Sequence, residues 1–276
     1  MRNICSLAGY AASLLLTTGL FDFAYADAAS GTFEVDLIFP HNDTYAPEPI
    51  IPVAFAVQNS KLVEYLRPSV SFSIIPYGNY SKSIAQGVYD LNNANLSGND
   101  PAMIYGDALE ALNKEGTWLL EWSLDVATCS DGGDDTKSLQ KRRLSRRHKL
   151  VFTTQNGAKK PDLTAASTDD SCKDAQWAAF EVVGTKEQNS GDDNDDSDGD
   201  QPCAALATST ASPSANPCAA TIEASVAANV SASLTQRACA VQTADWCPDE
   251  DSSATGVMAS WTVTIASIIL ALACIC

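Results

Sequence analysis

Large apolar residues alternate with polar or small ones in several short stretches of this chain. In residues 32–39, Phe33, Val35, Leu37 and Phe39 fall on one side, with Glu34 and Asp36 opposite. In residues 50–58, Ile51, Val53, Phe55 and Val57 alternate with small partners. Val70, Phe72 and Ile74 alternate with Ser71 and Ser73. Over residues 117–126, Trp118, Leu120, Trp122, Leu124 and Val126 alternate with Glu121, Ser123 and Asp125. A period of two sends successive side chains to opposite faces of an extended chain, so each stretch predicts a half-buried strand. Residues 150–154 and 177–183 predict two more. Turn-forming clusters separate them: Pro40-His41-Asn42-Asp43, Pro76-Tyr77-Gly78-Asn79 and Ser97-Gly98-Asn99-Asp100-Pro101. Short alternating strands joined by such turns predict an all-β fold, an immunoglobulin-like antiparallel β-sandwich. Glu34, Asp36, Glu121 and Asp125 are then expected on water-facing sheet surfaces, with no functional role required. Residues 107–113 read as one or two helical turns, with Gly116 beyond them.

After Gly184 the pattern ends. Residues 191–200 read GDDNDDSDGD, the composition of a solvated acidic linker. An Ala/Ser/Thr/Pro stretch with little to bury follows at 203–217. Ile222, Val226, Val230 and Leu234 then recur every four residues between Cys218 and Cys239. Two readings fit: a short amphipathic helix held by cystines, or an O-glycosylated stalk.

The two apolar runs at the ends set the expected location. Arg2, an apolar stretch over residues 7–23 and Ala24-Tyr25-Ala26 have the order of a secretory signal peptide, with cleavage expected after Ala26. Residues 257–276 form a second apolar run, preceded by Ser252, Ser253 and Ala254 and followed by no charge. Small residues, a spacer and an apolar end form a glycosylphosphatidylinositol-anchor signal, with Ser252 or Ser253 as the lipidation residue. A single-pass helix is the rival reading. The chain therefore divides into a signal peptide at 1–26, a β-sandwich domain at 27–184, and an acidic linker at 185–202. An Ala/Ser-rich, Cys-containing stalk or small helical segment at 203–252 and a removable anchor tail at 253–276 complete it.

Charge and cysteine content narrow the setting. A net charge of −17 opposes binding to nucleic acid and electrostatic docking on anionic lipid. With the end segments set aside, Cys129, Cys172, Cys203, Cys218, Cys239 and Cys247 remain, an even set suited to disulfides. Cys129 follows one predicted strand and Cys172 precedes another, so both are expected at sheet ends and bridged to each other. The last four cysteines would then pair among themselves. Asn-x-Ser/Thr triplets at Asn42, Asn79, Asn95 and Asn229 are glycan acceptors if the chain is secreted.

Motifs for chemistry are scarce. No CxxC spacing occurs and His41 and His148 are the two histidines, which opposes a zinc site. The nearest EF-hand register begins at Asn194 and has Ala205 where a bidentate Glu is required. Neither GxSxG nor HExxH occurs. No catalytic residue, metal or cofactor is therefore assigned. The basic run Lys141-Arg142-Arg143-Leu144-Ser145-Arg146-Arg147 reads either as a dibasic processing site or as a mobile hairpin loop that attracts the acidic linker. Tyr45, Tyr77, Tyr80 and Tyr105 lie in or beside predicted turns, where exposed rings suit the faces of sugars.

The stretches Gly31-Thr32-Phe33-Glu34-Val35-Asp36-Leu37-Ile38-Phe39-Pro40-His41-Asn42-Asp43-Thr44-Tyr45 and Thr117-Trp118-Leu119-Leu120-Glu121-Trp122, taken with the two end signals, carry a resemblance. The chain resembles uncharacterised secreted, GPI-anchored-type fungal proteins that share one domain of unknown function. The similarity covers residues 30–184 and extends toward the Cys-rich segment. It implies a cell-wall or outer-membrane-face setting and no particular activity. The expectation is an extracellular, non-catalytic binding or structural module. Its partners would be a cell-wall glycan or surface protein, and the membrane through its lipid anchor. The alternative is a secreted glycan-modifying hydrolase, which would need two carboxylates facing a groove.

Overall fold

The computed structural model describes residues 29–94, 96, 100–130, 140–168, 170–186, 202–208, 213–241 and 243–248. The expected signal peptide, the anchor run with Ser252 and Ser253, the Asn95 acceptor and the acidic run at 191–200 lie outside the described residues.

The strands are β1 (Gly31–Phe39), β2 (Thr44–Tyr45), β3 (Ile50–Gln58), β4 (Ser69–Pro76) and β5 (Ala85–Asp90), followed by β6 (Ala102–Leu109), β7 (Gly116–Ser130), β8 (Gln140–Thr154), β9 (Gln176–Lys186) and β10 (Cys203–Leu206). Among the described residues they are accompanied by the α-helices α1 (Val63–Leu66), α2 (Leu163–Ala166) and α3 (Ala224–Cys239). The strands build two five-stranded sheets, ordered β10-β9-β1-β3-β6 and β2-β8-β7-β4-β5. All pairings are antiparallel except the short β2–β8 contact. The architecture is the all-β sandwich that the alternation predicts.

The predicted apolar faces meet between the sheets. Val35 lies opposite Val57, and Leu37 opposite Phe55. Across the gap, the Phe55 ring sits 5.5 Å from Trp122 and 6.4 Å from Phe72. Such large buried side chains contribute about 1.5–3 kcal/mol each. The indole N–H groups are satisfied: Trp118 Nε1 donates to Thr154 Oγ1 at 2.8 Å and Trp122 Nε1 to Gln176 Oε1 at 3.0 Å. At the β5–β6 edge the sheets close on Phe72. A Cβ on Gly106 would lie 2.8 Å from that ring, so only glycine fits there.

The first sheet is covered on its outer face as well. Ala220 and Ile222 are buried, and the Ile222 N–H donates to Ser167 Oγ at 2.8 Å. Helix α3 follows, burying Leu234 and Ala238 while Val226 stays exposed. An Arg237–Asp107 ion pair and a Trp246 Nε1–Glu110 hydrogen bond tie this C-terminal segment to β6 and the turn after it.

Several sequence expectations are corrected. Residues 107–113 do not form a helix: Asp107 to Leu109 complete β6 against β3, and Glu110 turns the chain at φ 55°. The basic run is not a hairpin loop but part of β8, in unbroken register with β7 from Gly116↔Thr154 to Ser130↔Gln140. Its inward residues Leu144, Leu150 and Phe152 draw the arginines between and before them into the ladder.

The Cys129–Cys172 bridge is also corrected. The disulfides are Cys129–Cys203, Cys172–Cys218 and Cys239–Cys247. Cys172 precedes Gln176 at the start of β9, whereas Cys203 pairs with Lys186 at its end. Cys129 lies at that second end. At about 3.3 Å per residue, β9 holds Cys129 and Cys172 roughly 30 Å apart, far beyond the reach of a disulfide.

Candidate functional site

Among the described residues, polar or aromatic side chains gather at several places. The first is a cleft of about 650 Å³ at one end of the sandwich, walled by His41, Asn42, Asp43, Lys159, Asp162 and Asp174. The parallel pairing of Thr44 and Tyr45 with Thr153 and Thr154 draws this loop onto the end of β8. Tyr45, expected to be exposed, is only 3% exposed and packs on Phe39 at 4.9 Å. Its hydroxyl accepts from the His41 N–H at 3.1 Å, and burial pushes the phenol up to about 12.

The other cleft groups are held by their own neighbours. His41 Nε2 lies 3.0 Å from the Ala166 carbonyl, an acceptor only, so this nitrogen carries the proton. Burial alone would raise the Asp43 pKa, but the Lys159 ammonium and the Thr44 N–H hold it below the usual carboxylate range. Asp162 caps α2, accepting from the Thr164 and Ala165 N–H groups at 2.9 and 3.1 Å. Lys160 pairs with Glu48 at 2.9 Å.

The second place is a buried acid pair. Glu34 and Asp36 point away from the sandwich core and were expected to meet water. Instead they are 3% and 0% exposed, because the C-terminal segment lies over them. Both Glu34 carboxyl oxygens accept from the Asn216 N–H, at 2.9 and 3.0 Å. Gln58 Nε2 bridges Asp36 Oδ2 at 2.7 Å and the Asn216 carbonyl at 2.8 Å. Asp36 Oδ1 has no donor. Burial, reinforced by the adjacent Glu34 and only partly opposed by Gln58, pushes the Asp36 carboxyl up to about 9. A proton on Oδ1 converts two facing acceptors into a donor–acceptor pair, and this explains the orphaned oxygen.

The third place is an exposed aromatic pair. Tyr77 and Tyr80 are 56% and 60% exposed and meet edge to face at 6.3 Å. Asn79, expected from its triplet to accept a glycan, is exposed and stands between them in the turn after β4. Tyr105 is elsewhere, on β6 opposite Ala54, with its hydroxyl buried and without a partner. The four tyrosines singled out in the sequence therefore do not form one surface. Asn42 and Asn229 are exposed, the latter on α3 rather than in a loop.

The fourth place is a groove between β8 and β9. Hollows of about 460 and 320 Å³ share Arg146, Ala179 and Pro213, and add Arg142 in one and His148 and Trp177 in the other. His148 stacks on Trp122 at 4.7 Å; burial and then Arg146 lower its pKa. The arginines are legible as a basic run, but Trp177 is legible only as the start of a strand and Lys159 carries no signal. Sequence proximity joins them to no motif.

Among the described residues, no group of three or more His, Cys, Asp or Glu side chains could hold a metal ion. Among the same residues, no helix is long and apolar enough to cross a membrane. A family model described as a domain of unknown function, DUF7136, matches residues 28–252. No curated protein and no solved structure matches the chain.

Proposed function

The chain belongs to the DUF7136 family, and on that premise we propose that it is an extracellular, non-catalytic binding module tethered at a membrane or wall surface, with a glycan or surface protein as its ligand. One observation carries the non-catalytic reading: most acid, base and hydroxyl groups of the end cleft are already engaged in holding the fold. His41 is tied to Ala166, Tyr45 to His41, Asp43 to Lys159 and Asp162 to the start of α2. A hydrolase would need a free acid and a free base facing the same bond. The buried carboxyl pair does not supply them, because Asn216 covers it. Three disulfides support a setting outside the reducing cytosol. The exposed acceptors Asn42, Asn79 and Asn229 accord with it. Anchoring through Ser252 or Ser253 belongs to the same reading.

The test is a glycan array probed with the full chain from a secretory host, with product analysis on each glycan retained. Saturable retention of glycans that stay intact is expected. Release of shortened glycans or new reducing ends would replace this reading with a hydrolase.

A further inference from the structure

β8 is an edge strand for most of its length. Only Thr153 and Thr154 pair with β2. Among the described residues, no strand lies beyond residues 140–152 on that side. The unbroken β7–β8 register determines which backbone groups are spare, because alternate residues of an antiparallel strand bond to alternate sides. The Thr153 N–H donates outward to the Asp43 carbonyl at 3.0 Å and the Gln155 N–H to the Tyr45 carbonyl at 2.9 Å. The Lys149 carbonyl accepts, also outward, from Gln176 Nε2 at 2.6 Å. By the same alternation, Arg143, Ser145 and Arg147 turn their N–H and C=O groups away from β7.

The side chains along this ladder are cationic on both faces. Arg146 leans toward the first sheet with its guanidinium 5.3 Å over the Phe180 ring, on the same face as Leu144 and His148. Arg143 and Arg147 alternate onto the opposite face with Lys149, which pairs with Glu121 at 2.6 Å. Arg142, Arg143, Arg146 and Arg147 are exposed and in no ion pair among the described residues. This stands out on a chain with a net charge of −17. Charged residues on a sheet edge repel like-charged strands and disfavour neutral ones, which would desolvate the charges without compensating them. The same edge favours an acidic strand, whose alternate carboxylates would meet arginines on either face.

We propose that the outer edge of β8 at residues 143–147 is a docking site for an acidic peptide segment that adds to the sheet as a strand. This goes beyond the binding-module reading, which names no partner at this edge, and it does not depend on the glycan result. Backbone pairing supplies the register, and the arginines select for acidic side chains. The hollows lined by Arg142, Arg146 and His148 leave room for those of the partner's side chains that turn toward the first sheet.

Fluorescence anisotropy of labelled octa-aspartate with the full chain tests this. Residues 191–200 carry six aspartates of their own, so the titration is repeated on a chain with these changed to asparagine. Saturable binding is expected in at least one of the two chains; absence in both overturns the proposal. Two changes separate strand addition from charge alone. Ser145→Pro removes a central outward N–H without altering charge, and proline is tolerated on a free edge. Octa-aspartate N-methylated at every amide has no N–H on either edge and leaves the protein untouched. Each should weaken binding about tenfold or more, since each removes backbone hydrogen bonds. Equal affinity for the methylated and unmethylated peptides would overturn the proposal, whatever the folding of the proline variant. So would polygalacturonate binding that displaces the peptide yet is indifferent to Ser145→Pro, because the edge would then be a general polyanion surface.

Discussion

The Asp36→Asn variant offers the sharpest check on the physical account of this fold. An acid whose folded-state pKa lies above its unfolded value holds its proton more tightly in the folded state. The stability it contributes is therefore fully present below the unfolded value of 3.8 and is lost as pH rises toward the folded value of about 9. Between pH 4 and 7, about three pH units, unfolding releases a proton that folding had retained, at about 1.4 kcal/mol per unit. The wild-type chain should thus lose up to roughly 4 kcal/mol over that range through Asp36 alone. Asparagine copies the protonated acid. Its oxygen can accept from Gln58 Nε2 and its amide can donate to Glu34, so the variant keeps the contacts without the titration. The remaining carboxylates titrate in both proteins and cancel in the difference. Urea unfolding followed by tryptophan fluorescence, at half-unit steps from pH 4.5 to 8, measures it. Near pH 4.5 the two proteins should be of similar stability, and the variant should gain steadily as pH rises. Parallel stability curves, or a wild type that gains on the variant with pH, would refute the buried, protonated Asp36.

Three further outcomes follow from packing and covalent geometry. Gly106→Ala should destabilise the sandwich by about 1–3 kcal/mol, because its Cβ would press on Phe72 and Tyr89 where the sheets close; Gly184→Ala, with open space around its Cβ, is the matched control in the same urea titration. Replacing Cys172 and Cys218 together by serine should cost about 4 kcal/mol on the chain-entropy model for this loop. Peptide mapping of the wild type without reduction should recover Cys129 linked to Cys203, and a Cys129–Cys172 peptide would contradict the topology.

The strands β1, β3, β4 and β7 were legible because a period of two carried by Phe, Val, Ile, Leu and Trp has one physical solution, an extended chain with one face buried. Their turns were legible for similar local reasons. β5 and β6 were not read, since in AQGVYD and AMIYGDAL small residues and glycines stand where the neighbouring sheet approaches. The alternation also placed Glu34 and Asp36 on the side of β1 away from the core, correctly as far as it went. Whether that side meets water depends on what crosses it, and the covering residue Asn216 is 182 positions from Glu34 in the chain. The same limit governs the basic run, whose arginines were visible but whose strand state depends on pairing with β7. It governs the cysteines too. Their number and compartment follow from composition, but which sulfurs meet depends on which sheet ends coincide. Local periodicity encodes which face of an element is apolar. Only the assembled sheets decide what lies against the other face, and with it which acids are buried, which cations are free and which strand edge is open.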